Sequence, residues 1–146
     1  MTQNLPNHPS LQDYKLINFD GISLYHQELK NIENNTGPSL NPKTQDLEWK
    51  YNDILHRDDG PALIEKIGRC EWSKNGLRHR FEKPAIINPA QKYVIWYEKN
   101  KVHRIGGFAH FHKSLNFYRL YVDGETFYSE EKYIQACKNW LLKNIS

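Results

Sequence analysis

One pattern recurs three times in register along this chain and constrains its fold more than any other feature. A tryptophan is followed seven residues later by a His-Arg pair: Trp49 with His56-Arg57, Trp72 with His79-Arg80, and Trp96 with His103-Arg104. The tryptophans stand 23 and 24 positions apart, and each copy closes on a similar step, Gly60-Pro61-Ala62, Lys83-Pro84-Ala85 and Gly107-Phe108-Ala109. A period of this length means one supersecondary unit stacked several times.

The unit reads as a hairpin. A short strand carries the Trp, Asn75-Gly76 supplies the turn residues favoured in two-residue hairpin loops, and the return strand carries His-Arg. Proline then bends the chain, because it fixes φ and cannot donate to a ladder. The chain continues extended through Ala85, Ile86 and Ile87, turns at residues 88–91 and returns through residues 93–97. Each unit is thus expected to add about two strands and little covering surface. Gly21, Gly60, Gly76 and Gly124 are expected where φ is positive or the bend is tight.

On either side the pattern degenerates. Residues 14–26 form a candidate hairpin around Asp20-Gly21, a worn first copy followed by a polar insertion at 27–34, and residues 35–40 align with 58–63. Leu120 to Tyr128 keeps the hairpin, with Asp123-Gly124 as its turn, but has lost His-Arg. Ser129 is then a good helix N-cap, and Glu130 and Glu131 suit the positive end of a helix. Tyr133, Ile134, Ala136, Cys137, Trp140 and Leu141 form an apolar stripe that would cover one end or face of the sheet. The fold class is therefore mainly β: an antiparallel β-hairpin repeat sheet of meander type with one C-terminal α-helix. Its parts are a mobile tail at 1–13, the repeat domain at 14–128, and the helix at 129–146, packed on the repeats.

The spacing Trp-x2-Asn-Gly-x2-His-Arg, the Asp-Gly-Pro-Ala closure and the final Asp-Gly-x3-Tyr-Ser-Glu-Glu-x-Tyr segment resemble tandem repeat proteins of phages and prophages. More distantly, they are similar to MORN repeats and MORN-like antitoxins. The resemblance covers residues 47–133. It implies a MORN-like meander and, in function, an inhibitor of a host defence complex of the anti-CRISPR kind, or an antitoxin or immunity protein. It also implies the cytoplasm of a bacterial cell, with or without phage infection.

Composition fits a thin sheet. Hydrophobic residues make up 38% of the chain and aromatics 13%, so large rings rather than a deep aliphatic interior must supply the buried area. The first residues lack the charged and apolar regions of a signal peptide, and no apolar run is long enough to cross a membrane, so a soluble cytoplasmic protein is expected. Cys70 and Cys137 read as two reduced thiols.

Charge is concentrated in the middle. Residues 66–119 hold 12 Lys and Arg against three acidic residues, Glu71, Glu82 and Glu98, while the whole chain carries only +3. Aromatics are interleaved with these cations, which points to an anionic partner: a nucleic acid or ribonucleoprotein, or an acidic protein surface. The candidate binding surface is Arg57, Arg78, Arg80, Lys83, Lys99, Lys101, Arg104, Lys113 and Arg119, with Tyr97. For Arg57, Arg80 and Arg104, bonds to backbone carbonyls or nearby aspartates at the bend are an equal alternative.

Histidines offer the remaining chemistry. Equivalent positions in successive units are about 10 Å apart, which argues against one metal held by His56, His79 and His103. His110 and His112 share one face of a strand and, with His103, are weak candidates for a metal site. The same three could serve a small RNase or nucleotide-processing enzyme, with Lys113 or Arg104 stabilising charge. No nucleophile elbow, phosphate loop or zinc-protease motif is present, so no cofactor is expected and binding is favoured over catalysis. A single-layer array leaves edges that a homodimer would cover.

Overall fold

The computed structural model describes residues 38–144; the tail at 1–13, the candidate hairpin at 14–26 and the insertion at 27–34 lie outside them. Nine strands form one antiparallel sheet: β1 (Ser39–Leu40), β2 (Leu47–Glu48), β5 (Leu63–Ile64), β6 (Cys70–Glu71), β9 (Ile86–Asn88), β10 (Tyr93–Ile95), β13 (His110–His112), β14 (Phe117–Val122) and β15 (Glu125–Phe127). Between them the chain throws out three two-stranded hairpins, β3 (Lys50–Tyr51) with β4 (Ile54–Leu55), β7 (Ser73–Lys74) with β8 (Leu77–Arg78), and β11 (Tyr97–Glu98) with β12 (Lys101–Val102). A helix, α1 (Glu130–Asn144), closes the described chain. The mainly β meander with one C-terminal helix is therefore as expected, with two corrections. Each Trp stands at the step between a sheet strand and a hairpin strand, and each His-Arg pair follows the return strand, rather than lying on strands. Each unit adds a projecting hairpin as well as its two sheet strands, so the covering surface is larger than two strands would give.

The hairpin turns obey their sequence. Asn52-Asp53, Asn75-Gly76, Lys99-Asn100 and Asp123-Gly124 all have positive φ at both residues, as a type I′ turn requires. Three of the four pairs use Asn, Asp or Gly, which tolerate that region; Lys99 adopts it at φ 47° without that advantage.

Strand alternation sorts the faces. Cross-strand register aligns Leu47, Ile64, Cys70, Ile87, Val94, Phe111 and Tyr118 in one row. From Ile64 to Tyr118 this apolar row, with Trp72 and Ala85, builds the first core cluster. The neighbouring row, on the other face, runs Glu48, Leu63, Glu71, Ile86, Ile95, His110 and Arg119.

The second cluster lies under α1, where Tyr133, Cys137 and Leu141 pack on Ile105, Leu120 and Val122. Ser129 caps the helix as its sequence implies, its Oγ accepting from the Lys132 N–H at 3.4 Å. Tyr133 then ties the helix to the third unit. Its hydroxyl donates to the Arg104 carbonyl at 2.6 Å and accepts from the N–H groups of Gly106 and Gly107 at 3.0 and 3.1 Å. Burial pushes its pKa well above the usual phenol value. Cys70 and Cys137 are both buried free thiols.

Candidate functional site

Each unit builds the same arrangement from its Trp and Arg. The guanidinium of Arg57 lies 4.0 Å over the Trp49 ring, that of Arg80 lies 3.9 Å over Trp72, and that of Arg104 lies 3.9 Å over Trp96. Each also donates to the carbonyl four residues on, that of Pro61, Pro84 or Phe108, at 3.0–3.2 Å. Arg57 adds an ion pair to Asp59 at 2.9 Å, which lowers the pKa of that carboxyl. Arg57 is 6% exposed and Arg104 3%. These arginines, candidates for a binding surface, are turned inward as part of the packing.

Glycine makes room for them. A Cβ at Gly60 would stand 2.6 Å from the Arg57 guanidinium carbon, and one at Gly107 at the same distance from that of Arg104. Gly60 stands in a bend, as expected, without a positive φ, and it also provides space for Arg57.

The histidines couple neighbouring units. Nδ1 of His56 accepts from the Asn75 N–H at 3.0 Å, Nδ1 of His79 from Lys99 at 3.2 Å, and Nδ1 of His103 from Asp123 at 2.9 Å. Each donor sits at the tip of the next hairpin. His103 also faces Glu98 through Nε2 at 3.2 Å and packs against Trp140 at 4.5 Å between centroids.

His110 and His112 do share a face, as alternation predicts. His112 stacks on Tyr93 and His110 meets Phe117 edge-on. Burial, then His112 and Arg119, lowers the His110 pKa below the ordinary imidazole value. His103 does not join them as a third ligand, and among the described residues no three His, Cys, Asp or Glu side chains stand together as a metal site.

Other predicted cations divide clearly. Arg78 is bonded to the buried carboxylate of Glu71, which also receives Arg69 at 3.2 Å, and it lies over the Tyr97 ring. Arg119 is half-buried and donates to the Tyr128 hydroxyl at 2.9 Å. Lys83, Lys99, Lys101 and Lys113 are exposed, as are Lys66 and Lys92, with no ion pair among the described residues. The free positive charge of the middle units is thus lysine, not arginine.

A cavity of about 270 Å³ opens between the second and third units, bordered by His79, Phe81, Glu82, Tyr97 and Glu98, with Trp140 contributed by α1. Of the predicted site residues, Arg80, Tyr97, His103 and Arg104 also line it. Phe81, Glu82 and Trp140 were missed as site residues. Phe81 and Glu82 could have been found by comparing the copies, because they stand where the first has Asp58-Asp59 and the third Ile105-Gly106.

Comparison with protein-family profiles, with curated proteins and with solved structures returns no match.

Proposed function

We propose that this is a non-catalytic binding protein that engages a nucleic acid or ribonucleoprotein through the lysines of its middle units. The observation that carries this reading is the division among its cations. Arginines are spent on packing against Trp and Glu71, whereas Lys66, Lys83, Lys92, Lys99, Lys101 and Lys113 remain in solvent without ion pairs among the described residues. Lysine is a mobile point charge, suited to phosphate contacts that set affinity without reading sequence. As part of the same reading, the resemblance to phage-borne repeat proteins suggests that the target is a host defence ribonucleoprotein, which the protein inhibits.

Affinity purification of the tagged chain from a host lysate tests this, with and without nuclease and at two salt concentrations. The expected result is nucleic acid or a ribonucleoprotein, lost on nuclease or high-salt treatment. A stoichiometric protein partner that survives both treatments would overturn the reading in favour of an antitoxin or immunity protein.

A further inference from the structure

The three units share one design, so the places where one copy departs from it are informative. Three consecutive departures fall in the second unit. After the stacked arginine, the first unit has Asp58, Asp59 and Gly60; the third has Ile105, Gly106 and Gly107; the second has Phe81, Glu82 and Lys83. In the first unit Asp59 pairs with its own arginine, and in the third Ile105 is buried under α1. Phe81, by contrast, is 77% exposed. Glu82 holds a left-handed conformation at φ 55°, where the third unit uses Gly106 at φ 94°. Lys83 carries a side chain where both other copies need glycine beneath the guanidinium, and Arg80 is correspondingly less buried than Arg57 or Arg104.

None of these choices serves stability. An exposed phenyl ring forgoes burial, and a non-glycine residue in the left-handed region is disfavoured. Local rules broken without a structural return mark functional positions. Phe81, Glu82 and Arg80 all border the same cavity, and Lys83 adjoins it in sequence.

The cavity's chemistry narrows its occupant. Phe81 is an exposed phenyl ring at its rim, and the rings of Trp96, Tyr97 and Trp140, each with one neighbour already in Arg104, Arg78 or His103, border it, while Glu82 and His79 offer polar atoms. Lys99 donates its backbone N–H to His79, a lining residue, and its side chain is exposed at the hairpin turn. At about 270 Å³ the space falls just below the usual size of ligand cavities, roughly 300–1,000 Å³. It suits one planar heterocycle rather than a duplex. A nucleobase has faces to stack on aromatic rings, an amino edge for a carboxylate to accept from, and a phosphate attached on either side.

We propose that this cavity takes one unstacked base of a single-stranded nucleic acid, with the adjoining phosphates on Lys83 and Lys99. The inference rests on the nucleic-acid reading above and adds strand type and a base pocket to it.

The test is fluorescence anisotropy with a labelled single-stranded RNA of about ten nucleotides, within the usual footprint of single-strand binders, and with the same RNA as a duplex. Thermal midpoints and elution from heparin are measured beside it. Phe81→Ala is expected to weaken single-strand binding about tenfold, and Phe81→Trp to retain it. Neither should move the thermal midpoint or heparin elution, and duplex binding should be weaker and indifferent to both. Equal binding of both RNA forms with no effect of Phe81→Ala would overturn the pocket and leave the lysine surface standing. Absence of RNA binding together with absence of heparin retention would overturn the nucleic-acid reading itself. Phe81-dependent capture of an acidic protein in the presence of nuclease would overturn the base assignment.

Discussion

A guanidinium resting on an indole at 3.9–4.0 Å needs its outer side clear as well, and glycine at the third position after the arginine clears it in two of three units. Gly107→Ala should therefore lower stability by about 1–3 kcal/mol, as overpacking does, read as a drop in the denaturant midpoint at unchanged slope. The Trp-to-Arg spacing was visible in the sequence, yet the direction of each arginine was not. A count of charges carries no orientation, and the partners that capture these cations are the indole ring eight residues back and a backbone carbonyl four residues on. The two thiols were read correctly as unpaired, and their surroundings add a pH dependence. Burial raises the pKa of Cys70 from 9.0 to about 12 and that of Cys137 to about 11. The folded state thus keeps protons that the unfolded chain releases above pH 9, so stability should fall as pH rises from 9 towards 12. Equilibrium unfolding across that range reports it, and a flat profile would mean that the thiols open to solvent in the native state.

Hairpins join one another through bonds that no local pattern announces. Each histidine reaches a donor 19 or 20 residues ahead, so its role exists only once successive hairpins are stacked. Two of the four turns were legible, because Asn75-Gly76 and Asp123-Gly124 prefer the required backbone; Asn52-Asp53 and Lys99-Asn100 lack the glycine that announces it. The helix was legible too, from Ser129, the two glutamates and the stripe that follows. Its docking bond was not, since it joins a hydroxyl to backbone groups 26–29 residues upstream. Tyr133→Phe removes that bond while preserving the ring. It leaves the buried N–H groups of Gly106 and Gly107 without their acceptor, and should cost about 1–3 kcal/mol. Thermal unfolding measures the loss, and an unchanged midpoint would show that the helix is held by its apolar stripe alone.

Across the whole molecule, a block with nine excess positive charges keeps only some of them available. Arg57, Arg78, Arg80 and Arg104 hold indole, carboxylate and carbonyl partners, whereas Lys83, Lys99, Lys101 and Lys113 stand clear. The charge imbalance was plain in the sequence, but its division between framework and surface required the packed units. The binding account depends on that division. The measurement that tests it most directly is the slope of log Kobs against log salt for a single-stranded RNA, taken for the native chain and for a variant with those four lysines changed to Gln. The slope should fall in magnitude by about 0.7 for each phosphate no longer neutralised by a lysine, with weaker binding at low salt and an unchanged thermal midpoint. An unchanged slope and affinity in the variant would contradict the account, because the exposed lysines would then carry no part of the binding.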